Sequence, residues 1–157
     1  LIYLKGNAGG ARAVRVREAR GADLRQVIEI DAGITGLRKP GYWADVLRRY
    51  GGGARAQRHF LVAESAQRVV GYIVGEVRDW EFGSPPCGWV FGVAVRPEAR
   101  LAGVGSRLLE AICAAFRRTG VHEVRTLLAR DNPLVLAFFR SQGMMAGRFI
   151  ALEKTLG

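Results

Sequence analysis

The hydrophobic period changes once, abruptly, between Trp89 and Phe116, and that change narrows what this chain can fold into. Trp89 to Val95 is an unbroken apolar run, the pattern of a central strand covered on both faces. It stops at Arg96-Pro97. After Gly103-Val104-Gly105, apolar residues recur every fourth position at Val104, Leu108, Ile112 and Phe116, with Leu109 and Ala115 widening the stripe of one helix. Gly120 ends that pattern. Strand, glycine-containing loop and helix start therefore succeed one another directly. The first N–H groups of such a helix lack intrahelical partners and favour an anion, usually phosphate. Glycine at 103 and 105 keeps side chains from holding a phosphate away, and Arg100 and Arg107 add positive charge. Two glycines are also ordinary chain geometry at a strand-to-helix turn. A Walker-type loop requires Gly-Lys-Ser/Thr, and Gly105-Ser106-Arg107 has no lysine. A dinucleotide loop requires a third glycine near Leu108, which is absent.

The elements around this stretch alternate. Ala13–Glu18 sets Val14 and Val16 against Arg15 and Arg17, a half-buried strand. Asp23 is a fair cap for a helix carrying Leu24, Val27, Ile28 and Ile30 on one side. Gly33–Gly41 is predicted as a loop. Tyr42–Tyr50 is predicted as a helix with Trp43, Val46, Leu47 and Tyr50 on its apolar side. Phe60–Glu64 and Val69–Asp79 predict a hairpin across Ser65–Arg68, with Val70, Tyr72, Val74, Glu76 and Arg78 on one face. Strands over Glu123–Ala129 and Phe149–Lys154 flank a helix that Asn132 caps and Pro133 starts. The order is an α/β mixture with an antiparallel meander in its middle.

The chain has 157 residues, the size of one domain, and is 49% hydrophobic, enough for a core. Residues 1–11 show no period and are set apart as a tail or vector-derived segment, leaving 12–157 as the domain. No apolar run is long enough to span a membrane as a helix. Cys87 and Cys113 read as free thiols of a reducing cytoplasm. With His59 and His122 they form no metal-ligand spacing, so no metal is expected. The net charge of +10 is nearly all arginine, which favours an anionic ligand or an acidic partner. There is no run of basic residues with interleaved aromatics, so nucleic-acid binding is not indicated.

The string Val95-Arg96-Pro97-Glu98-Ala99-Arg100, followed by Gly103-Val104-Gly105 and Leu108-Leu109, resembles motif A of the Gcn5-related N-acetyltransferases, an acetyl-CoA-dependent superfamily. Asn132-Pro133, then Ala137-Phe138-Phe139 and Gly143, resembles its motif B. With the element order, the resemblance covers about Arg12 to Leu156. It implies a mostly antiparallel mixed sheet of six to seven strands with four helices, and a strand that splays from its neighbour at the acyl-CoA site.

The resemblance further implies that Val93, Ala94 and Val95 run along the pantetheine arm. Backbone N–H groups of Leu101, Ala102, Gly103, Val104, Gly105 and Ser106 take the pyrophosphate, with Arg100 assisting. Val93 and Val95 equally suit core packing. Asn132, Phe138 and Phe139 flank the cofactor arm. In many members a tyrosine near the position of Phe139 protonates the leaving thiolate; a phenyl ring has no proton to give. Water or another tyrosine, Tyr72 or Tyr42, remains for that step. The usual glutamate base on the Trp89–Val95 strand is also missing. Glu76, among apolar neighbours in its own strand, is the candidate base through a water, or else a partner in a strand-end ion pair. Tyr42, Trp43, Asp79, Trp80 and Glu81 are expected on the acceptor side, although aromatics there also seal cores.

The implied reaction is transfer of an acetyl group to a primary amine (a protein N-terminus, a lysine or a small amine). A non-catalytic acyl-CoA-binding domain is the alternative, since the usual acid and base are both missing. The implied partners are acetyl-CoA, an amine acceptor and a second copy in a homodimer, with no membrane.

Overall fold

The computed structural model describes residues 13–53 and 56–157. The proposed tail, residues 1–11, lies outside them. The described chain divides into two compact units, one ending at Thr126 and one spanning Leu127–Gly157.

The first unit is built on strands β1 (Arg15–Glu18), β2 (Arg58–Ser65), β3 (Arg68–Arg78), β4 (Cys87–Val95) and β5 (Val124–Thr126). Their spatial order is their chain order. Pairs β1 to β4 are antiparallel and β4–β5 is parallel. The helices are α1 (Leu24–Thr35), α2 (Pro40–Tyr50) and α3 (Val104–Arg117). The mixed, mostly antiparallel sheet agrees with the expected fold. Five strands form among the described residues, not six or seven.

Alternation along β3 divides the core into two layers. Val74, with Val69, Tyr72, Phe60, Val62 and Ala94, packs against Val27, Ile28 and Ile30 of α1 and Trp43, Val46 and Tyr50 of α2. Gly75 faces the other way, where an added Cβ would meet Ile112 at 2.9 Å and Phe116 at 3.0 Å. At Gly88 it would lie 2.3 Å from the Phe116 ring. These glycines let α3 sit close on the sheet, which is how its fourfold stripe becomes fully buried: Val104 1%, Leu108 0%, Ile112 0% and Phe116 2% exposed.

Several local readings change. The first helix runs through Gly33 to Thr35 and ends on Gly36, whose φ of +73° supplies the left-handed cap. The hairpin turn is tighter than expected: Ala66 and Gln67, both at positive φ, match the right-handed twist of the strands. A bulge between Ala63 and Glu64 leaves Val70 unpaired. Val69, not Val70, therefore shares the cluster with Tyr72 and Val74.

Asp23 does not cap α1 with its side chain. Its carboxylate accepts from Arg17 Nη1 at 2.7 Å and Nη2 at 2.9 Å, and reaches back to the Arg20 N–H at 2.8 Å. Arg17 also donates to Glu64 at 2.5 Å, so one guanidinium ties β1, β2 and the start of α1 together.

The second unit holds α4 (Pro133–Ser141). Asn132 Oδ1 accepts from the Val135 N–H at 3.2 Å, the cap expected of it, and Gly143 at φ +82° lies just past the helix. The expected strand over Phe149–Lys154 is absent: 149–154 has no regular secondary structure, and Ile150 and Leu152 are exposed. A short apolar run makes a segment able to pair, but pairing needs an edge in register. Among the described residues no helix is long and apolar enough to cross a membrane.

This packing has two measurable outcomes. Gly88→Ala is expected to cost about 1–3 kcal/mol, because an aromatic ring wedged in a core cannot retreat freely. Urea unfolding would show a lower midpoint at unchanged slope; an unmoved midpoint would mean that α3 has slack. Arg17→Met, which strands two carboxylates, is expected to cost about 3–5 kcal/mol at neutral pH. The Arg17 hydrogen bonds hold the Asp23 carboxyl below its usual range. A lowered carboxyl pKa contributes stability above its unfolded value, about 3.9, and loses it as pH falls through the folded one. The gap between wild type and variant should therefore narrow in acid. A gap independent of pH would exclude the Asp23 linkage.

Candidate acyl-transfer site

Strand β4 is paired along its whole length on the β3 side but only from Gly88 to Val90 on the β5 side. At the end of the paired stretch, Thr126 Oγ1 donates to the Val90 carbonyl at 2.8 Å. Directly afterwards Phe91 is extruded: Val74 pairs with Gly92 and Gly75 with Val90, leaving Phe91 unpaired. The ring of Phe91 packs edge-on against Tyr50, 5.2 Å between centroids. A bulge bends its strand and interrupts the ladder, so β4 leaves β5 at this residue.

The freed edge has a definite polarity. The Arg96 N–H donates to the Val70 carbonyl at 2.8 Å, toward β3. Backbone groups alternate sides along a strand, so those of Ala94 also face β3 and those of Val93 and Val95 face outward. Arg100 Nε donates to the Val95 carbonyl at 3.3 Å. Of the three residues expected along an extended ligand arm, then, two offer backbone to it. Ala94 is used by the sheet and is 7% exposed.

The edge leads into a 3₁₀ turn at Pro97–Ala102 and then into α3. Leu101, Ala102 and Gly103 are exposed, Gly105 and Ser106 half-buried, and Val104 is a core residue. Gly103, at φ +72°, opens the helix in a left-handed conformation that disfavours any side chain. Nothing lies within 4 Å of where its Cβ would be. It offers no side-chain cap, so the first N–H groups of α3 keep their donors for a ligand. Arg107 does not serve this loop; its Nη1 donates to the Val14 carbonyl at 3.1 Å.

The carboxylate singled out from the sequence is not in an apolar setting. Glu76 accepts from the Tyr50 hydroxyl at 3.0 Å and lies 3.5 Å from Arg58 Nε and 3.3 Å from Arg78 Nε. Its apolar neighbours in sequence lie on the opposite face of β3 or along its length. Tyr72, 4% exposed, packs edge-on to Trp43 at 4.8 Å. Burial, and then the charge of Asp31, push its hydroxyl well above the ordinary tyrosine range.

Trp43 lies in the core at 2% exposed, a correction to its expected place on an acceptor surface. Tyr42, next to it, is 46% exposed. Asp79, Trp80 and Glu81 are exposed in the β3–β4 connection. Trp80 and Phe82 both take positive φ, 53° and 52°, which large side chains avoid. In the second unit Phe138 and Phe139 pack edge-on at 5.1 Å, and Phe139 is 4% exposed.

Asp31 was missed. It is 6% exposed, and its Oδ2 accepts from Trp43 Nε1 at 2.9 Å and lies 3.0 Å from Lys39 Nζ. Its sequence signal is a lone acid on the buried stripe of α1, four residues after Val27 and three after Ile28. No group of three metal-ligating side chains occurs among the described residues.

A sequence model of the acetyltransferase (GNAT) family matches residues 24–144. The chain belongs to that family. An L-2,4-diaminobutyric acid acetyltransferase of Nocardia farcinica is 32% identical over 87 residues, 55% of this chain and 44% of that enzyme. The match thus spans less than half the length of that relative. Among solved structures, a transcriptional regulator from Bacillus halodurans superposes with a TM-score of 0.77 at 20% identity, covering 92% of this chain and 100% of that one. An aminoglycoside antibiotic 6'-N-acetyltransferase from Acinetobacter baumannii gives 0.76 at 17% identity, with 92% and 100% covered. At these identities the structures show a shared GNAT fold.

Backbone held at positive φ is strained where the residue is not glycine. Trp80→Gly is expected to raise unfolding stability by about 1 kcal/mol, since the indole is largely exposed. A lower denaturation midpoint would mean that the indole contributes more by packing than its backbone loses.

Proposed function

We propose that this protein transfers an acetyl group from acetyl-CoA to a primary amine by direct attack within a ternary complex. One observation carries the reading: an outward-facing strand edge at Val93 and Val95 runs straight into an uncapped helix N-terminus at Gly103. The pairing of an extended, amide-bearing arm with a phosphate-accepting helix start is what a pantetheine diphosphate asks of a protein. The residues present fit it. Val93 and Val95 offer backbone to the arm, the N–H groups from Leu101 to Ser106 meet the pyrophosphate, and the exposed Arg100 adds charge. The motif from Asn132 to Gly143 supports the same reading through sequence resemblance, and so does the family's use of acetyl-CoA.

The acceptor amine attacks the thioester carbonyl. The outward N–H of Val93 stands where the developing oxyanion needs a donor. A C–N bond forms, the C–S bond breaks, and the amine yields a proton to water. Glu76 pairs with Trp89, one step before the bulge, and serves as the base through that water. Tyr72, whose raised pKa keeps its proton on, acts as a hydrogen-bond donor beside Gly92. The thiolate takes its proton from solvent, since Phe139 has none to give. The excess of arginine disfavours polycationic acceptors, and the diaminobutyric acid enzyme among the relatives supports a small amine.

A second reading, acyl-CoA binding without turnover, is favoured by the three polar partners of Glu76 and the phenyl ring at 139. One experiment separates them. Calorimetry with acetyl-CoA should give saturable binding that Gly103→Glu weakens at least tenfold, by side-chain intrusion and charge repulsion. Free-thiol release with an amine panel should then occur in the wild type. Unchanged affinity in a folded Gly103→Glu protein would move the phosphates elsewhere. Binding without thiol release from any amine would make the domain a sensor.

A further inference from the structure

Tyr50 is the last residue of α2, and its spacing assigns it only to the apolar side of that helix. The chain leaves the helix tightly there. The Gly51 N–H donates to the Leu47 carbonyl at 2.8 Å, and a Cβ at Gly51 would lie 2.6 Å from that oxygen. The buried Tyr50 side chain meets two parts of the acyl-transfer site at once. Its hydroxyl donates to Glu76 Oε2 at 3.0 Å. Its ring packs edge-on against Phe91, the extruded residue at which β4 leaves β5. The guanidinium groups of Arg49 and Arg58 each lie 5.3 Å from the centroid of the same ring. Burial, and then the bond to Glu76, nevertheless raise the hydroxyl above the ordinary tyrosine range, so it keeps its proton and is the donor of the pair.

We propose, resting on the acetyl-transfer reading with Glu76 as its base, that Tyr50 is a positioning residue that fixes Glu76 with its hydroxyl and the Phe91 bulge with its ring. The base and the pantetheine edge belong to different strands, β3 and β4, and Tyr50 of α2 is the side chain that touches both. A base that works through a water depends on placement, and a misplacement of about 1 Å is enough to lose much of the rate. The other partners of Glu76 hold it loosely. Arg58 Nε is at 3.5 Å and Arg78 Nε at 3.3 Å, and each is a long side chain partly in solvent. Tyrosine has a stiff ring on a short stem, and this one is set in the core. It occupies one acceptor direction of Oε2, while the Glu76 side chain stays 18% exposed, which leaves lone pairs within reach of a water. The ring has the matching task on β4. Phe91 is 41% exposed, and its contact with Tyr50 seats the bulge from which the outward edge at Val93 begins.

Tyr50→Phe separates the two links, because it removes the hydroxyl and keeps the ring. Thiol release with the best amine of the panel should show kcat lowered about tenfold, the worth of one hydrogen bond to a charged group. Calorimetry should show unchanged affinity for acetyl-CoA. Glu76→Gln should lower kcat about a hundredfold, and adding Tyr50→Phe to it should lower kcat no further. A merely structural hydroxyl would cost the same factor in both backgrounds. That result, a wild-type kcat in Tyr50→Phe, or a wild-type kcat in Glu76→Gln overturns the hydroxyl link. Tyr50→Leu removes the ring as well and should weaken acetyl-CoA binding about fivefold relative to Tyr50→Phe. Phe91→Ala removes the same contact from the exposed side and should weaken it similarly, which keeps the test open if Tyr50→Leu does not fold. Equal acetyl-CoA affinity in Tyr50→Phe and Phe91→Ala overturns the ring link. If wild type binds acetyl-CoA but releases thiol with no amine, the acetyl-transfer reading falls and the hydroxyl link with it, whereas the ring link stands or falls on these affinities alone.

Discussion

Strand β4 has a neighbour on both sides for only part of its length, and the rest of the site is arranged around that fact. A strand in mid-sheet ordinarily spends its N–H and C=O groups on its neighbours. Here the extra residue at Phe91 turns the chain just as the Thr126 hydroxyl terminates the parallel pairing at the Val90 carbonyl. Beyond that point β4 is a central strand with an edge. In many proteins such an edge is an aggregation liability. In this chain it is short and ends at once in a helix start whose N–H groups are likewise uncapped.

The remaining structure holds that geometry rigid. Helix α3 is pressed onto the sheet because Gly71, Gly75 and Gly88 have no side chains to hold it off. Its N-terminus is therefore positioned by core packing over its whole length, not by the loop alone. On the opposite layer, Trp43 and Tyr72 form one aromatic block with Phe60. The tryptophan carries the Asp31 hydrogen bond and the tyrosine lies against the strand that bears the edge. One sheet thus carries the uncapped start of α3 on one face and, on the other, the aromatic block that holds a buried carboxylate.

How much was legible in the residues depends on range. The fourfold stripe of α3, the Asn132-Pro133 start of α4 and the strand-turn-helix at 89–104 are local patterns, and they appear where expected. The caps and turns were less legible. Asp23 has the chemistry of a cap, yet Arg17 takes its carboxylate, and nothing local says which partner wins. Val70 and Val69 are equivalent by composition, and only the bulge opposite Glu64 selects which of them packs with Tyr72 and Val74. Trp43 is on the apolar side of its helix by spacing, but spacing does not say whether that side lines an acceptor surface or the core; contact with Phe60 and Tyr72 decides for the core.

The site divides in the same way. Gly103 and the uncapped helix start were readable, because a residue without a side chain between a strand and an amphipathic helix has few uses. Glu76 was half legible: the ion pair with an arginine is present, but apolar neighbours along a strand say nothing of Arg58 or Tyr50 arriving from other elements. Asp31 went unread, although its place on the apolar stripe of α1 marked it. The residues by themselves determined most of the elements, their order and the glycine turn into α3, since these arise from periods and backbone preferences within a few positions. Only the tertiary structure decided where β4 parts from β5, which valine packs with Tyr72 and which acid the Trp43 indole binds, because each depends on partners that are distant in the chain and close in space.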